Sequence, residues 1–257
     1  TSDGDPLLLH LLISSDEKIN LSGDEIRMSQ GRAMAVAAGG MIAMAAAMGI
    51  GRFVYTPILP FMEHALGISK SDAGLIATAN FAGYLTGALV ASWPALGGNR
   101  RAWFIGMLAV SVLPTGLMGA TTSLEVFMGL RFAGGFTSAF VLVFGSALVL
   151  EALARYQRAA LSALHFGGVG LGIAFSAILV AQIDSFGFDW RMQWFACALT
   201  ISIATIAVAL LVKQEDNHGP VERQSNSNDP QDKTAASGPP PAPGGSSLKA
   251  LIIAYGL

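Results

Sequence analysis

The sequence predicts an all-α membrane protein built on a bundle of six spanning helices. Three observations predict it: six apolar runs of helix length in series, a charged fraction of 12% beside 53% hydrophobic residues, and a one-sided distribution of lysine and arginine. A span needs about 20 apolar residues to cross the hydrocarbon core, and about a quarter of a soluble domain is usually charged. Inside a bilayer, backbone groups must bond within their own segment, so each run is expected to be a helix. A large soluble core also buries apolar helices, but not six in series with polar breaks this short.

The runs are residues 33–61, 72–96, 102–119, 124–152, 157–184 and 192–212. The first carries Pro57 and Pro60 with Gly49 and Gly51 upstream, which predicts a bent or locally unwound helix of the kind transport proteins use. The second and fifth carry the small-xxx-small pairs Gly83/Gly87 and Gly168/Gly172, which let helix backbones approach closely without specifying a function. The third and sixth hold no acid, base or amide away from their ends. The single cysteine, Cys197, lies in the sixth run, so no intrachain disulfide forms and no metal cluster is expected.

The flanking segments are polar. Residues 1–31 read as a disordered N-terminal extension. Its apolar stretch 7–13 follows Asp3 and Asp5 rather than basic residues, a poor signal peptide, and Met28 is a candidate natural start. Residues 32–213 hold the bundle. Residues 214–247, rich in Pro, Gly, Ser, Asn and Asp, read as a disordered cytoplasmic linker. Residues 248–257 read as the opening turns of a seventh membrane helix, so the sequence is that of six spans plus a truncated seventh.

Basic residues set the expected orientation through the positive-inside rule. With the N-terminus cytoplasmic, Lys18, Arg27, Arg32, Arg100, Arg101, Arg155, Arg158, Lys213, Arg223, Lys233 and Lys249 lie inside, and only Lys70 and Arg191 lie outside. Arg52 and Arg131 remain, within spans. A central arginine costs roughly 2.5–3.5 kcal/mol on insertion scales, so it faces a cavity or a partner. At a rise of about 1.5 Å per residue, Arg52 falls about 9 Å and Arg131 about 10 Å to the outer side of their span centres. They therefore share a depth. As a pair of cavity cations they suit an anionic substrate or a carboxylate on another helix; as structural residues they snorkel to the headgroups or pair with backbone carbonyls.

His165 falls about 9 Å to the inner side of its span centre. With an unperturbed pKa near 6.5 it is a candidate proton-coupling site; the alternative is a hydrogen bond between helices. Tyr55, Thr56, Asn80 and Tyr84 add polar atoms to the first two spans, either as orienting groups or as packing contacts. These residues lie on spans one, two, four and five, which suggests four helices around a polar path and two that shield them.

That pattern resembles the major facilitator superfamily, in which helices one, two, four and five of each six-helix half line the cavity. Arg131-Phe132-Ala133-Gly134-Gly135 is similar to the R-x-x-x-G motif of its fourth helix. Trp190-Arg191-Met192-Gln193-Trp194-Phe195 is similar to the W-R-x-x-F entry to its sixth. Gly167 to Gly172 resemble its glycine-rich fifth helix, without the proline of the antiporter motif. The stretch Gly49 to Pro60, with Ser71-Asp72-Ala73-Gly74-Leu75 and Asn80-Phe81-Ala82-Gly83-Tyr84, resembles the YbfB/YjiJ-type bacterial transporters. The loop 93–101 departs from G-x-x-x-D-R-x-G-R-R: it keeps Arg100 and Arg101 but lacks the acid, which puts any gating by that aspartate in doubt or leaves Asn99 to make a neutral version.

The resemblance implies the N-terminal six-helix half of a twelve-helix secondary transporter that alternates access to a midplane site; His165 adds proton coupling and the Arg52/Arg131 pair an anionic substrate as further expectations. It implies a multi-pass protein of the bacterial inner membrane, without enzymatic activity or cofactor. Its partners would be a small-molecule substrate, the lipid bilayer and the missing C-terminal six-helix half, with no nucleic acid. Arg52, Tyr55, Asn80, Tyr84 and Arg131 are the candidate substrate-binding residues. Two rivals come from other classes. A non-catalytic six-helix scaffold or channel would oligomerise. An intramembrane serine protease would pair Ser146 with His165, residues at similar depth, but Ser146 lacks the G-x-S-G setting of such enzymes.

Overall fold

A computed structural model describes Met28 and residues 30–212. The expected linker, the seventh-helix segment and most of the N-terminal extension lie outside the described residues. Six helices are long and apolar enough to cross a membrane: α1 (Gln30–Leu66), α2 (Lys70–Ala91), α3 (Arg100–Met118), α4 (Leu124–Arg155), α5 (Ala159–Ser185) and α6 (Trp190–Leu211). Each overlaps one of the six apolar runs, and no strand occurs among the described residues.

Short polar breaks supply the caps. The side-chain oxygens of Ser69, Asn99, Ser123 and Asp189 accept backbone N–H groups in the first turns of α2, α3, α4 and α6. Each satisfies donors that a helix start leaves open. Gly67 ends α1 in the left-handed conformation at φ 66°, donating to the Glu63 carbonyl, the geometry glycine adopts most readily.

Cross-links at both ends show that α3 and α6 run antiparallel. At one end the Arg101 guanidinium donates to the carbonyls of Val212 (2.6 Å) and Ala209 (2.9 Å), capping α6 from the start of α3. Arg100 and Arg155 both pair with Glu151 there, at 3.6 and 2.6 Å. At the other end Arg191 donates to Gly119 (2.8 Å) and Lys70 pairs with Glu63 (2.8 Å). Arg100, Arg101 and Arg155, three of the basic residues expected inside, therefore lie at one end of the bundle. Asn99 receives the N–H groups of Arg101 and Ala102.

Two glycine seams hold the bundle. α2 packs most extensively on α4, where a Cβ on Gly83 would strike the Phe132 carbonyl and one on Gly135 the Asn80 carbonyl. α1 packs on α5, where Gly168 meets the Met41 carbonyl and Gly172 the Ala45 carbonyl. Both small-xxx-small pairs therefore sit at helix contacts. Between α3 and α4 the core is aromatic, with Trp103, Phe140 and Phe144 in mutual ring contact. Hydroxyls along the spans, such as Thr78, Thr86 and Thr205, donate to carbonyls of their own helix. Within a bilayer they need no outside partner.

Candidate functional site

The site begins with a defect in α1. Residues Ala45–Ile50 form a π-helix, residues 51–54 are a turn, and the α-helix resumes at Tyr55. Gly51 and Phe53 donate five residues back, to Ala46 (2.8 Å) and Met48 (3.2 Å). Pro57 lacks the N–H that would reach Phe53, and Thr56 donates to that carbonyl instead at 3.2 Å. Thr56 is also the residue whose N–H would reach Arg52 in a regular helix. The break predicted from Gly49, Gly51, Pro57 and Pro60 thus becomes a π-turn, a form that recurs at functional sites.

Arg131 completes the broken stretch from α4. Its side chain is 4% exposed, and it donates through Nη1 to the Gly51 carbonyl (3.1 Å) and through Nη2 to the Arg52 carbonyl (2.6 Å). The guanidinium also lies over the Tyr55 ring, 5.1 Å from its centroid. The planar fork suits two neighbouring carbonyls where a lysine ammonium would not. Arg131 is therefore engaged with helix backbone, the structural alternative weighed from the sequence.

Arg52 lies beside it and differs in character. Its guanidinium is 3.9 Å from the Tyr84 ring centroid, 5.0 Å from that of Phe81 and 5.4 Å from that of Phe53. Its side chain is half-buried, and Nε is buried without a hydrogen-bond partner. Among the described residues neither Arg52 nor Arg131 forms an ion pair; the pairs present belong to Lys70, Arg100 and Arg155. Two arginines thus lie together within apolar spans, one bonded to carbonyls and one stacked on rings.

The remaining candidates hold this arrangement in place. Tyr55 is buried and its hydroxyl donates to the Ala73 carbonyl (3.1 Å), tying the second part of α1 to α2. Asn80 is buried and its Nδ2 donates to the Arg131 carbonyl (2.9 Å), tying α2 to α4. Tyr84 turns its ring to Arg52. So Arg52, Tyr55, Asn80, Tyr84 and Arg131 form one connected group across α1, α2 and α4. Phe53 and Phe81 complete it and were not among the sequence candidates. Their signal was available in part, since Phe81 and Tyr84 are three residues apart and so share a helix face.

His165 belongs to a separate cluster nearer the other end. It is fully buried, and Nε2 is 3.2 Å from Ser146 Oγ on α4. Nδ1 faces Gly40 on α1, where an added Cβ would come within 2.5 Å of it. The Ser146–His165 pair has a nucleophile and base in reach, but among the described residues Nδ1 meets the Gly40 backbone and no acid or amide side chain, unlike the third member of a catalytic triad. Two further buried polar groups escaped the sequence reading. Gln193 is 0% exposed without a side-chain partner, and Trp194 Nε1 donates to Met62 Sδ at 3.5 Å.

Comparison with known proteins places this geometry in context. The family described as "Uncharacterised MFS-type transporter YbfB" matches residues 44–237. The match starts at the helix-one defect and includes all six candidate residues. No curated protein matches the chain.

Proposed function

The chain belongs to the family of the MFS-type transporter YbfB, and on that premise we propose that it forms one six-helix half of a secondary carrier that moves a small anionic molecule by alternating access. The family makes it a multi-pass membrane transporter of the major facilitator superfamily rather than an enzyme. The observation that carries the finer reading is Arg52: a half-buried cation in the broken stretch of α1, stacked on aromatic rings, without a carboxylate partner among the described residues. A guanidinium facing hydrocarbon is unfavourable, so its natural environment is a polar cavity where an anion supplies the missing charge.

In this reading the six candidate residues divide their work. Arg52 binds the anion and Tyr84 orients it. Arg131 fixes the carbonyls of Gly51 and Arg52, while Tyr55 and Asn80 lock α1 and α4 to α2, so the cation is presented by a rigid backbone. His165 carries the coupled proton on the cytoplasmic side. A second six-helix half closes the cavity. The membrane is the bacterial inner membrane and the N-terminus is cytoplasmic.

Uptake by the full-length protein in proteoliposomes tests the proposal. Arg52→Gln and Arg131→Gln should each abolish uptake of an anionic compound while membrane insertion stays intact. Normal uptake in both variants would favour arginines that serve only the fold.

A further inference from the structure

The surroundings of Arg52 narrow the substrate class, and we infer that the site takes an apolar monocarboxylate, a compound with one carboxylate on an aromatic or branched hydrocarbon body. This rests on the anion reading above and goes beyond it. Of the two guanidinium groups away from the ends of the described spans, Arg131 is committed to two backbone carbonyls. One cation remains, which balances one negative charge. A second ligand charge would enter without a partner from this half, and burying an unpaired charge is strongly unfavourable.

Geometry selects the anion's shape. Tyr84 lies against the guanidinium, its ring centroid 3.9 Å away, and its hydroxyl hydrogen-bonds to it, so approach is left to the remaining in-plane N–H groups. A planar carboxylate fits these through two parallel hydrogen bonds. The group attached to the carboxylate then meets Phe81 and Phe53, whose rings lie 5.0 and 5.4 Å from the same guanidinium. Phe81 is 57% exposed, so its ring is free to cover a ligand. Among the described residues the contacts around Arg52 are with Phe53, Phe81 and Tyr84, and no hydroxyl or amide side chain beyond Tyr84 lies against it to read a sugar or a phosphate.

Titration calorimetry on the purified full-length protein tests this with sodium benzoate, sodium 4-methylpentanoate, benzamide, sodium succinate and sodium phosphate. Benzoate and 4-methylpentanoate should bind, and benzamide, succinate and phosphate should bind about tenfold or more weakly. Arg52→Gln should weaken benzoate by about tenfold or more. Phe81→Ala should lower the preference for benzoate over 4-methylpentanoate about threefold. Tighter binding of succinate or phosphate than of benzoate, lost in Arg52→Gln, would overturn the monocarboxylate class and leave the anion reading standing. Absence of binding by all four anions, or benzoate binding unchanged in Arg52→Gln, would overturn both. Were Arg52→Gln to fail to fold, the order of the five probes on the parent chain and the Phe81→Ala ratio still decide the class.

Discussion

Arg131 donates to the backbone carbonyl of Arg52 across 2.6 Å, so one intramembrane arginine holds the segment that presents the other. The carbonyl is available because α1 passes through a π-turn just before Pro57, and Thr56 has turned its N–H to Phe53. The two cations are neighbours with different tasks.

This division separates their variants. Arg131→Gln leaves two carbonyls without their charged donor and should lower stability by about 2–3 kcal/mol. Arg52→Gln loses ring stacking and should lower it by about 1 kcal/mol or less. Melting of the detergent-purified protein measures both; equal losses would remove the distinction between a holding and a binding arginine.

Packing at the α1–α5 seam gives a sharper contrast. Gly168→Ala drives a methyl into the Met41 carbonyl, whereas Gly170→Ala meets nothing within 4 Å. The first should cost about 1–3 kcal/mol and the second should be neutral in the same melting assay.

Arg101 makes its contribution at the end of α6. Arg101→Ala uncaps the carbonyls of Ala209 and Val212 and should destabilise the bundle by about 1–3 kcal/mol. Hydrogen exchange should rise in the last turn of α6 and not in α2.

Orientation and coupling have their own tests. Cys197 is fully buried, so introduced cysteines report cleanly. An impermeant maleimide should label Phe188→Cys on intact cells and Ala95→Cys only after permeabilisation; the reverse order would place the N-terminus outside. Removing the imidazole with His165→Ala should abolish the dependence of uptake on a proton gradient. An unchanged pH profile would assign His165 to its bond with Ser146 alone.

Much of the fold was legible because bilayer physics writes it into composition. Apolar runs of span length located all six helices, and glycines four residues apart marked the two close seams. Equal depths brought Arg52 and Arg131 together. What stayed hidden was pairing across helices. Nothing in the residues around Arg131 says that its fork meets carbonyls of α1, since those carbonyls are freed by the register change at Ala45–Ile50. The contact of Ser146 with His165 likewise depends on how α4 and α5 are rotated, which depth alone leaves open. The rings around Arg52 come from two helices, and only the spacing of Phe81 and Tyr84 hinted at them.

The most direct test of the account asks whether position 52 faces a water-filled anion site. On a Cys197→Ala background, the Arg52→Cys full-length protein should react with a membrane-impermeant sulfonate thiosulfonate reagent, and benzoate should slow the reaction of Phe81→Cys, which keeps the Arg52 guanidinium. Failure of the water-soluble reagent at position 52, with full reaction of a lipid-soluble maleimide, would place the side chain in lipid and contradict the account.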